Sequence, residues 1–182
     1  MRFGICTDVQ NINEAAALGF DYIEAKLNAV AALDDAEFSK LVQQVRRSPV
    51  RVERCCLLFP KTMQVIGDGY RENEMILYLK TALARMQTLG ADLVVFGSGK
   101  SRNFDADMSW QQAFQELVGV TKIIGTIASQ YGIHVAIEPL NRQETNLINT
   151  LTEGAALQAC VGLPNVGLLA DSYHMSCEHE DW

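Results

Sequence analysis

The sequence is poor in proline and has no long apolar segment. Only 4 of its 182 residues are proline, and no run approaches the roughly 18 consecutive apolar residues that a membrane-spanning helix needs. The apolar run at the N-terminus, residues 1–6, is too short for the core of a signal peptide. These absences argue against a membrane protein and a secreted one, so we expect a cytoplasmic protein without a membrane partner.

The C-x-x-C motif is also absent. The five cysteines (Cys6, Cys55, Cys56, Cys160 and Cys177) contain no C-x-x-C motif, which argues against a zinc site built from thiolates. Their odd number and irregular spacing do not fit a disulfide framework. We therefore expect buried or half-buried side chains that act as small apolar groups in a reducing compartment.

Basic residues are outnumbered by acidic ones. The chain has 15 lysines and arginines against 22 aspartates and glutamates, a net charge of −7, and its basic residues are scattered apart from a group within 46–54. Such a chain repels phosphate backbones, so we expect no nucleic-acid partner. Apolar residues make up 48% of the sequence and charged residues 20%, which argues against disorder and predicts a single domain over residues 1–182.

Short β-type segments alternate with longer amphipathic segments along the whole chain. Strands are predicted at 2–6, 22–25, 50–58, 91–96, 133–137 and 166–170, and helices at 11–18, from 34 or 35 to 47, at 73–89, 109–131 and 152–161. This alternation predicts parallel strands joined by right-handed crossovers. The candidate architectures are a doubly wound sheet and a (β/α)8 barrel.

The glycine motif of dinucleotide-binding sheets is missing after the first strand. Such sheets carry G-x-G-x-x-G there, whereas this chain has Thr7-Asp8-Val9-Gln10. The sequence therefore favours an α/β fold of the (β/α)8 TIM-barrel type. Because these barrels typically have about 250 residues, we expect the 182 residues to hold about six βα units, an incomplete barrel.

Acidic residues follow several predicted strands at their carboxyl ends, where parallel α/β folds collect their functional groups. Glu24 lies near the end of the second strand, Glu138 follows the fifth, and Asp171 follows the sixth. Carboxylates at neighbouring strand ends repel each other, and a divalent cation with oxygen ligands relieves that repulsion. The pattern indicates a metal site at Glu138 and Asp171; the alternative is a helix cap together with a structural salt bridge.

Two motifs at these strand ends are similar to those of a known superfamily. Residues 137–142 read Ile-Glu-Pro-Leu-Asn-Arg, with Glu144 two positions later, and residues 171–175 read Asp-Ser-Tyr-His-Met. They resemble the xylose isomerase-like TIM barrel superfamily, in particular its sugar phosphate isomerase/epimerase branch. Weaker likenesses at 19–24 and in the glycine loop 96–102 extend the resemblance over the whole chain.

The resemblance implies roles for particular residues of this chain. Glu138 matches a glutamate that binds the metal and acts as an acid/base, and Asp171 matches a second metal ligand. His174 and Glu144 match substrate contacts, and Arg102 matches a residue near the site that we also expect to bind substrate. The implied cofactor is a divalent metal (Mn, Mg, Co or Zn). The implied reaction is isomerisation or epimerisation of a ketose or sugar phosphate by proton transfer through an enediolate.

The family pattern also includes a histidine on strand seven and a glutamate on strand eight, and the 182 residues end before either predicted strand. We therefore expect the parent protein to be a sugar isomerase or epimerase, and this chain alone to lack epimerase activity. Two alternatives stay open: an inosose-type dehydratase on the same scaffold, and an inactive fragment that self-associates as a homo-oligomer. The branch that cleaves DNA at abasic sites is disfavoured by the three histidines and the net charge of −7.

Overall fold

The structure, a computed structural model, describes residues 1–181. Its strands are β1 (Gly4–Thr7), β2 (Tyr22–Lys26), β3 (Arg51–Cys56), β4 (Leu93–Phe96), β5 (His134–Ile137) and β6 (Val166–Leu168). Its helices are α1 (Ile12–Ala17), α2 (Leu27–Ala32), α3 (Asp35–Arg47), α4 (Glu72–Leu89), α5 (Trp110–Gln130), α6 (Leu151–Val161) and α7 (Ser172–Cys177), with 3-10 turns at Val9–Asn11 and Gly99–Arg102. Within this range, no helix is both long and apolar enough to cross a membrane.

The six strands form one sheet in the order of the chain, β1-β2-β3-β4-β5-β6. Every neighbouring pair is parallel, so each connection returns to the starting end of the sheet. A doubly wound sheet reverses its strand order part-way, and this sheet does not. The predicted α/β architecture with about six βα units of a TIM-type barrel is therefore confirmed.

The two faces of the sheet differ in burial. In β2, Ile23 and Ala25 are fully buried and belong to the core that the strands share with the helices. Glu24 alternates with them and is half-buried, so it points to the opposite side of the sheet. Cys6 pairs with Glu24 in register and shares this side. We call it the inner face, because in a barrel it lies opposite the helices.

Two short helices are not predicted from the sequence. Helix α2 begins at Leu27 directly after β2 ends at Lys26, so no glycine or proline marks the boundary. Helix α7 spans only 6 residues, which is too short for an apolar periodicity to develop. Strand β3 ends at Cys56 rather than at residue 58, because Leu57 has a φ of 52° and leaves the extended conformation.

The cysteines do not share one environment. Cys55 is buried and Cys56 half-buried, whereas Cys6, Cys160 and Cys177 are exposed. The expectation of buried or half-buried thiols is therefore wrong for three of the five. Cys6 alternates with half-buried residues of β1, whereas Cys160 and Cys177 lie on exposed positions of α6 and α7.

Gly119 offers a direct test of helix α5. A Cβ built there meets no atom within 4 Å, and the position is exposed inside a 21-residue helix. We expect Gly119→Ala to raise the free energy of unfolding by about 0.5–1 kcal/mol, since alanine restricts the unfolded chain and favours the helix. Urea denaturation followed by circular dichroism measures the change.

Gly125, on the same helix, is the matched control. Its Cβ would lie 2.7 Å from Val166 Cγ2 and 2.8 Å from Leu163 Cδ1, so Gly125→Ala should lower the free energy of unfolding through overpacking. Equal effects of the two substitutions would contradict this packing of α5 against the sheet.

Candidate metal and substrate site

Three side chains that were predicted from the sequence lie together at the carboxyl ends of β5 and β6. Glu138 directly follows β5, and its backbone N–H donates to the Phe96 carbonyl at the end of β4, at 3.2 Å. Asp171 precedes α7, and His174 lies in its first turn. One donor atom from each of Glu138, Asp171 and His174 lies within 4.8 Å of the others. We call this group the acidic triad.

The surroundings of Glu138 disfavour its ionised form. Burial, followed by the negative charge of Asp171, raises the pKa of Glu138 from its ordinary 4.5 to about 7, with smaller contributions from Glu24 and Glu144. The positive charge of Arg102 acts in the opposite direction. The charge of Asp171 therefore adds to burial in disfavouring the ionised form of Glu138, and a nearby cation would relieve this repulsion.

Asp171 is also the N-cap of helix α7. Its Oδ1 accepts hydrogen bonds from the backbone N–H groups of Tyr173 and His174, at 2.8 and 3.1 Å. The helix cap that the sequence left open as an alternative is thus present. It occupies only one carboxylate oxygen, since Oδ2 makes no hydrogen bond to any residue in the described part of the chain. A cap and a ligand role are therefore compatible.

His174 is oriented by Asn141, which is 2% exposed. The Asn141 backbone N–H donates to Nδ1 of His174 at 3.2 Å, and the Asn141 side-chain amide nitrogen lies 3.0 Å from the same atom. Because Nδ1 accepts, the neutral ring carries its proton on Nε2. His174 is therefore a hydrogen-bond donor at Nε2, which suits a substrate oxygen better than a metal ion.

Glu144 belongs to the same network. The Asn141 side-chain amide donates to Oε1 of Glu144 at 3.3 Å, while the Glu144 residue itself is exposed. Glu138, Glu144 and His174 line one cavity of about 480 Å³, a size that accommodates a small molecule. A larger cavity of about 660 Å³ lies beside it, but its lining contains no member of the acidic triad.

Arg102 does not face this cavity, contrary to the expectation of a substrate contact. Its side chain is 0% exposed, and its guanidinium donates to the carbonyls of Phe96, Glu138 and Ile148 at 3.1, 2.8 and 3.4 Å. Burial lowers the pKa of Arg102 to about 10. The residue ties the ends of β4 and β5 to the loop before α6, so we assign it a positioning role.

Asn141 and Gly97 take part in the site but are not singled out by the sequence. Asn141 lies inside the motif at 137–142, and its donation to a histidine 33 residues away cannot be read from local spacing. A Cβ at Gly97 would collide with Oε2 of Glu138. A glycine at the end of the neighbouring strand is therefore required for the Glu138 carboxylate to occupy its place.

A family model described as xylose isomerase-like TIM barrel matches residues 12–182. The chain belongs to this family. The resemblance that the two strand-end motifs indicate is thereby confirmed, and the xylose isomerase-like TIM barrel accounts for the sequential parallel sheet.

Members of the xylose isomerase-like family with assigned activities are similar to most of this chain. The D-psicose 3-epimerase of Agrobacterium fabrum (strain C58 / ATCC 33970) is 27% identical over 176 residues, which cover 94% of this chain and 60% of that protein. The structure of D-psicose 3-epimerase with D-tagatose from Clostridium cellulolyticum H10 matches all of this chain and 67% of its own, with a TM-score of 0.84 at 20% identity.

A third similar protein of this fold binds zinc. The structure of the IOLI protein with a binding zinc atom matches 100% of this chain and 66% of its own, with a TM-score of 0.78 at 20% identity. The chain thus spans about 60% of the length of the curated relative in Agrobacterium and about two thirds of these two solved chains.

Proposed function

We propose that this chain carries metal-binding and proton-transfer residues of an isomerase or epimerase that acts on a ketose or a sugar phosphate. The observation that supports the proposal is the convergence of Glu138, Asp171 and His174 within 4.8 Å at neighbouring strand ends. Relatives named D-psicose 3-epimerase and L-ribulose 3-epimerase agree with this chemistry. The relatives are longer than this chain, so the activity of a whole protein is part of the proposal.

The donor set of the acidic triad fits a divalent cation. Two carboxylates from adjacent strand ends supply the hard oxygen ligands that Mg²⁺ and Mn²⁺ prefer. Burial and then the charge of Asp171 raise the pKa of Glu138, and a cation would offset both effects. In the proposal, Glu138 and Asp171 hold the cation. When bound, a divalent cation stabilises the negative charge that develops on an enediolate.

Each remaining side chain has a role that follows from its contacts. Glu138 removes the proton from the carbon beside the carbonyl, because its carboxylate lines the cavity and lies beside the proposed cation, within reach of a bound sugar. His174 donates from Nε2 to a substrate oxygen, since Nδ1 is engaged by Asn141. Glu144, exposed at the rim of the cavity, accepts a hydrogen bond from a sugar hydroxyl.

Hydrogen exchange at the sugar tests this assignment. A single carboxylate on one side of the sugar can remove the proton, exchange it with solvent and return a deuteron to the same face, which labels the carbon without inverting it. We expect the chain to incorporate deuterium at carbon 3 of D-psicose in D₂O with saturating Mn²⁺, and not without a metal. Proton NMR of the sugar measures the incorporation, and electron paramagnetic resonance of Mn²⁺ gives the metal affinity.

Asp171→Asn and Glu74→Gln form the comparison pair. Asp171→Asn should weaken Mn²⁺ binding by at least about 10-fold. Even the loss of a residue that only hydrogen-bonds to a metal ligand lowers metal affinity by about 10- to 100-fold. Glu74 is an exposed carboxylate in the first turn of α4, and its loss should change neither binding nor exchange. Wild-type exchange in Asp171→Asn at a Mn²⁺ concentration that only half-saturates the wild-type chain would overturn the proposal. Loss of water from the sugar would instead favour the dehydratase.

A further inference from the structure

A second group of ligand-type side chains lies on the inner face of the first three strands. Cys6 comes from β1, Glu24 from β2 and Cys56 from β3. One ligand atom from each lies within 4.8 Å of the other two, and the two Sγ atoms are 3.3 Å apart. None of these residues belongs to the acidic triad, and the proposed sugar chemistry uses none of them.

The two thiols are not placed to form a disulfide. Strand β2 pairs with both β1 and β3, so the cysteines lie on strands that are not neighbours. Adjacent strands are about 4.8 Å apart, and β2 lies between the two cysteine backbones. The two Sγ atoms are 3.3 Å apart. A disulfide needs Cα atoms within about 7 Å of each other and an S–S bond of about 2.05 Å.

We propose that Cys6, Glu24 and Cys56 form a binding site for a thiophilic divalent cation such as Zn²⁺. Two thiolates and one carboxylate are ligands that zinc commonly takes. With bonds of about 2.3 Å and a tetrahedral angle, two zinc-bound sulfurs lie about 3.8 Å apart. The observed 3.3 Å needs only a small side-chain rotation to reach this separation.

The group is open to solvent, and the lysine beside it is already paired with another carboxylate. Lys26, the nearest cation along β2, forms an ion pair with Asp8 at 3.2 Å, so the two charges cancel. Cys6 is exposed, and Glu24 and Cys56 are half-buried, so an ion can enter from solvent. Bound there, it cross-links three consecutive strands at one face and keeps a fourth coordination position for water.

The sequence argued against a thiolate site because it lacks C-x-x-C. A C-x-x-C motif identifies only thiolate ligands that are close in sequence. Here Cys6 and Cys56 are 50 residues apart, and the parallel order of the sheet brings them to one face.

Cobalt spectroscopy on the reduced chain tests the site. Co²⁺ bound to thiolates gives an intense charge-transfer band in the near ultraviolet, whereas Co²⁺ bound only to oxygen ligands, as proposed for Glu138 and Asp171, does not. We expect a band that saturates with one bound Co²⁺ per chain and is displaced by Zn²⁺. Cys6→Ser and Cys56→Ser should each weaken the band and lower the affinity by at least about 10-fold.

Cys160 provides the matched control, since it is exposed on α6, and Cys160→Ser should leave the band unchanged. Asp171→Asn should also leave it unchanged, which separates this site from the proposed function. The absence of a saturable band in the wild-type chain would overturn the proposal without any variant. A band that survives both Cys6→Ser and Cys56→Ser, or a Cys6–Cys56 disulfide found by mass spectrometry, would overturn it as well.

Discussion

Replacing Arg102 by methionine is expected to lower the free energy of unfolding by about 3–5 kcal/mol. The guanidinium supplies hydrogen bonds to the carbonyls of Phe96, Glu138 and Ile148, and methionine supplies none. Each buried polar group that loses its partner costs about 1–3 kcal/mol. Because the side chain is 0% exposed, water cannot replace the lost donors without opening the structure. Denaturation in guanidinium chloride, followed by circular dichroism, measures the decrease in the free energy of unfolding.

Arg54 is a suitable control for the Arg102 prediction. It forms an ion pair with Asp92 in which both side chains are partly exposed, and such pairs contribute about 0–1 kcal/mol. Arg54→Met should therefore cost little, and Arg102→Lys should fall between the two methionine variants because one ammonium group cannot reach all three carbonyls. An Arg102→Met variant as stable as Arg54→Met would show that the three carbonyls are not held by this residue.

The position of Arg102 shows what sequence reasoning misses at this site. An arginine that follows a glycine loop at a strand end suggests contact with solvent or substrate, and the resemblance supports that interpretation. Its burial depends on the loop before α6, which supplies Ile148 and closes over the guanidinium. The local sequence does not encode that closure, because it joins segments 46 residues apart.

The strand order and the acidic residues are predictable for the opposite reason. Alternating β and α segments leave few topologies, and parallel strands bring their carboxyl ends to the same edge. The proximity of Glu138 and Asp171 can therefore be predicted without knowing how the loops are folded. By contrast, the donation from Asn141 to His174 and the meeting of Cys6 with Cys56 depend on side-chain direction and sheet curvature, which local patterns do not specify.

Gly97→Ala is expected to damage the proposed proton-transfer site while leaving the fold intact. Gly97 is not among the glycines with positive φ, so the backbone accepts alanine. The obstacle is Oε2 of Glu138, which a Cβ would overlap. A carboxylate at the end of a flexible side chain can move away, so we expect the free energy of unfolding to change by less than about 1 kcal/mol. The displaced carboxylate should instead slow deuterium exchange by on the order of 100-fold.

Two variants make this prediction specific to the Glu138 carboxylate. Gly167 lies in β6, and a Cβ there meets no atom within 4 Å, so Gly167→Ala should keep full exchange and full Mn²⁺ affinity. Glu138→Gln removes the base itself and should slow exchange by about 10²- to 10⁴-fold. If Gly97→Ala exchanges as fast as Gly167→Ala, the Glu138 carboxylate need not occupy its observed place beside Gly97. Slow exchange in Gly97→Ala together with wild-type stability would instead locate the defect at the carboxylate. The other side chain near the added Cβ is that of Leu140, which cannot accept a proton.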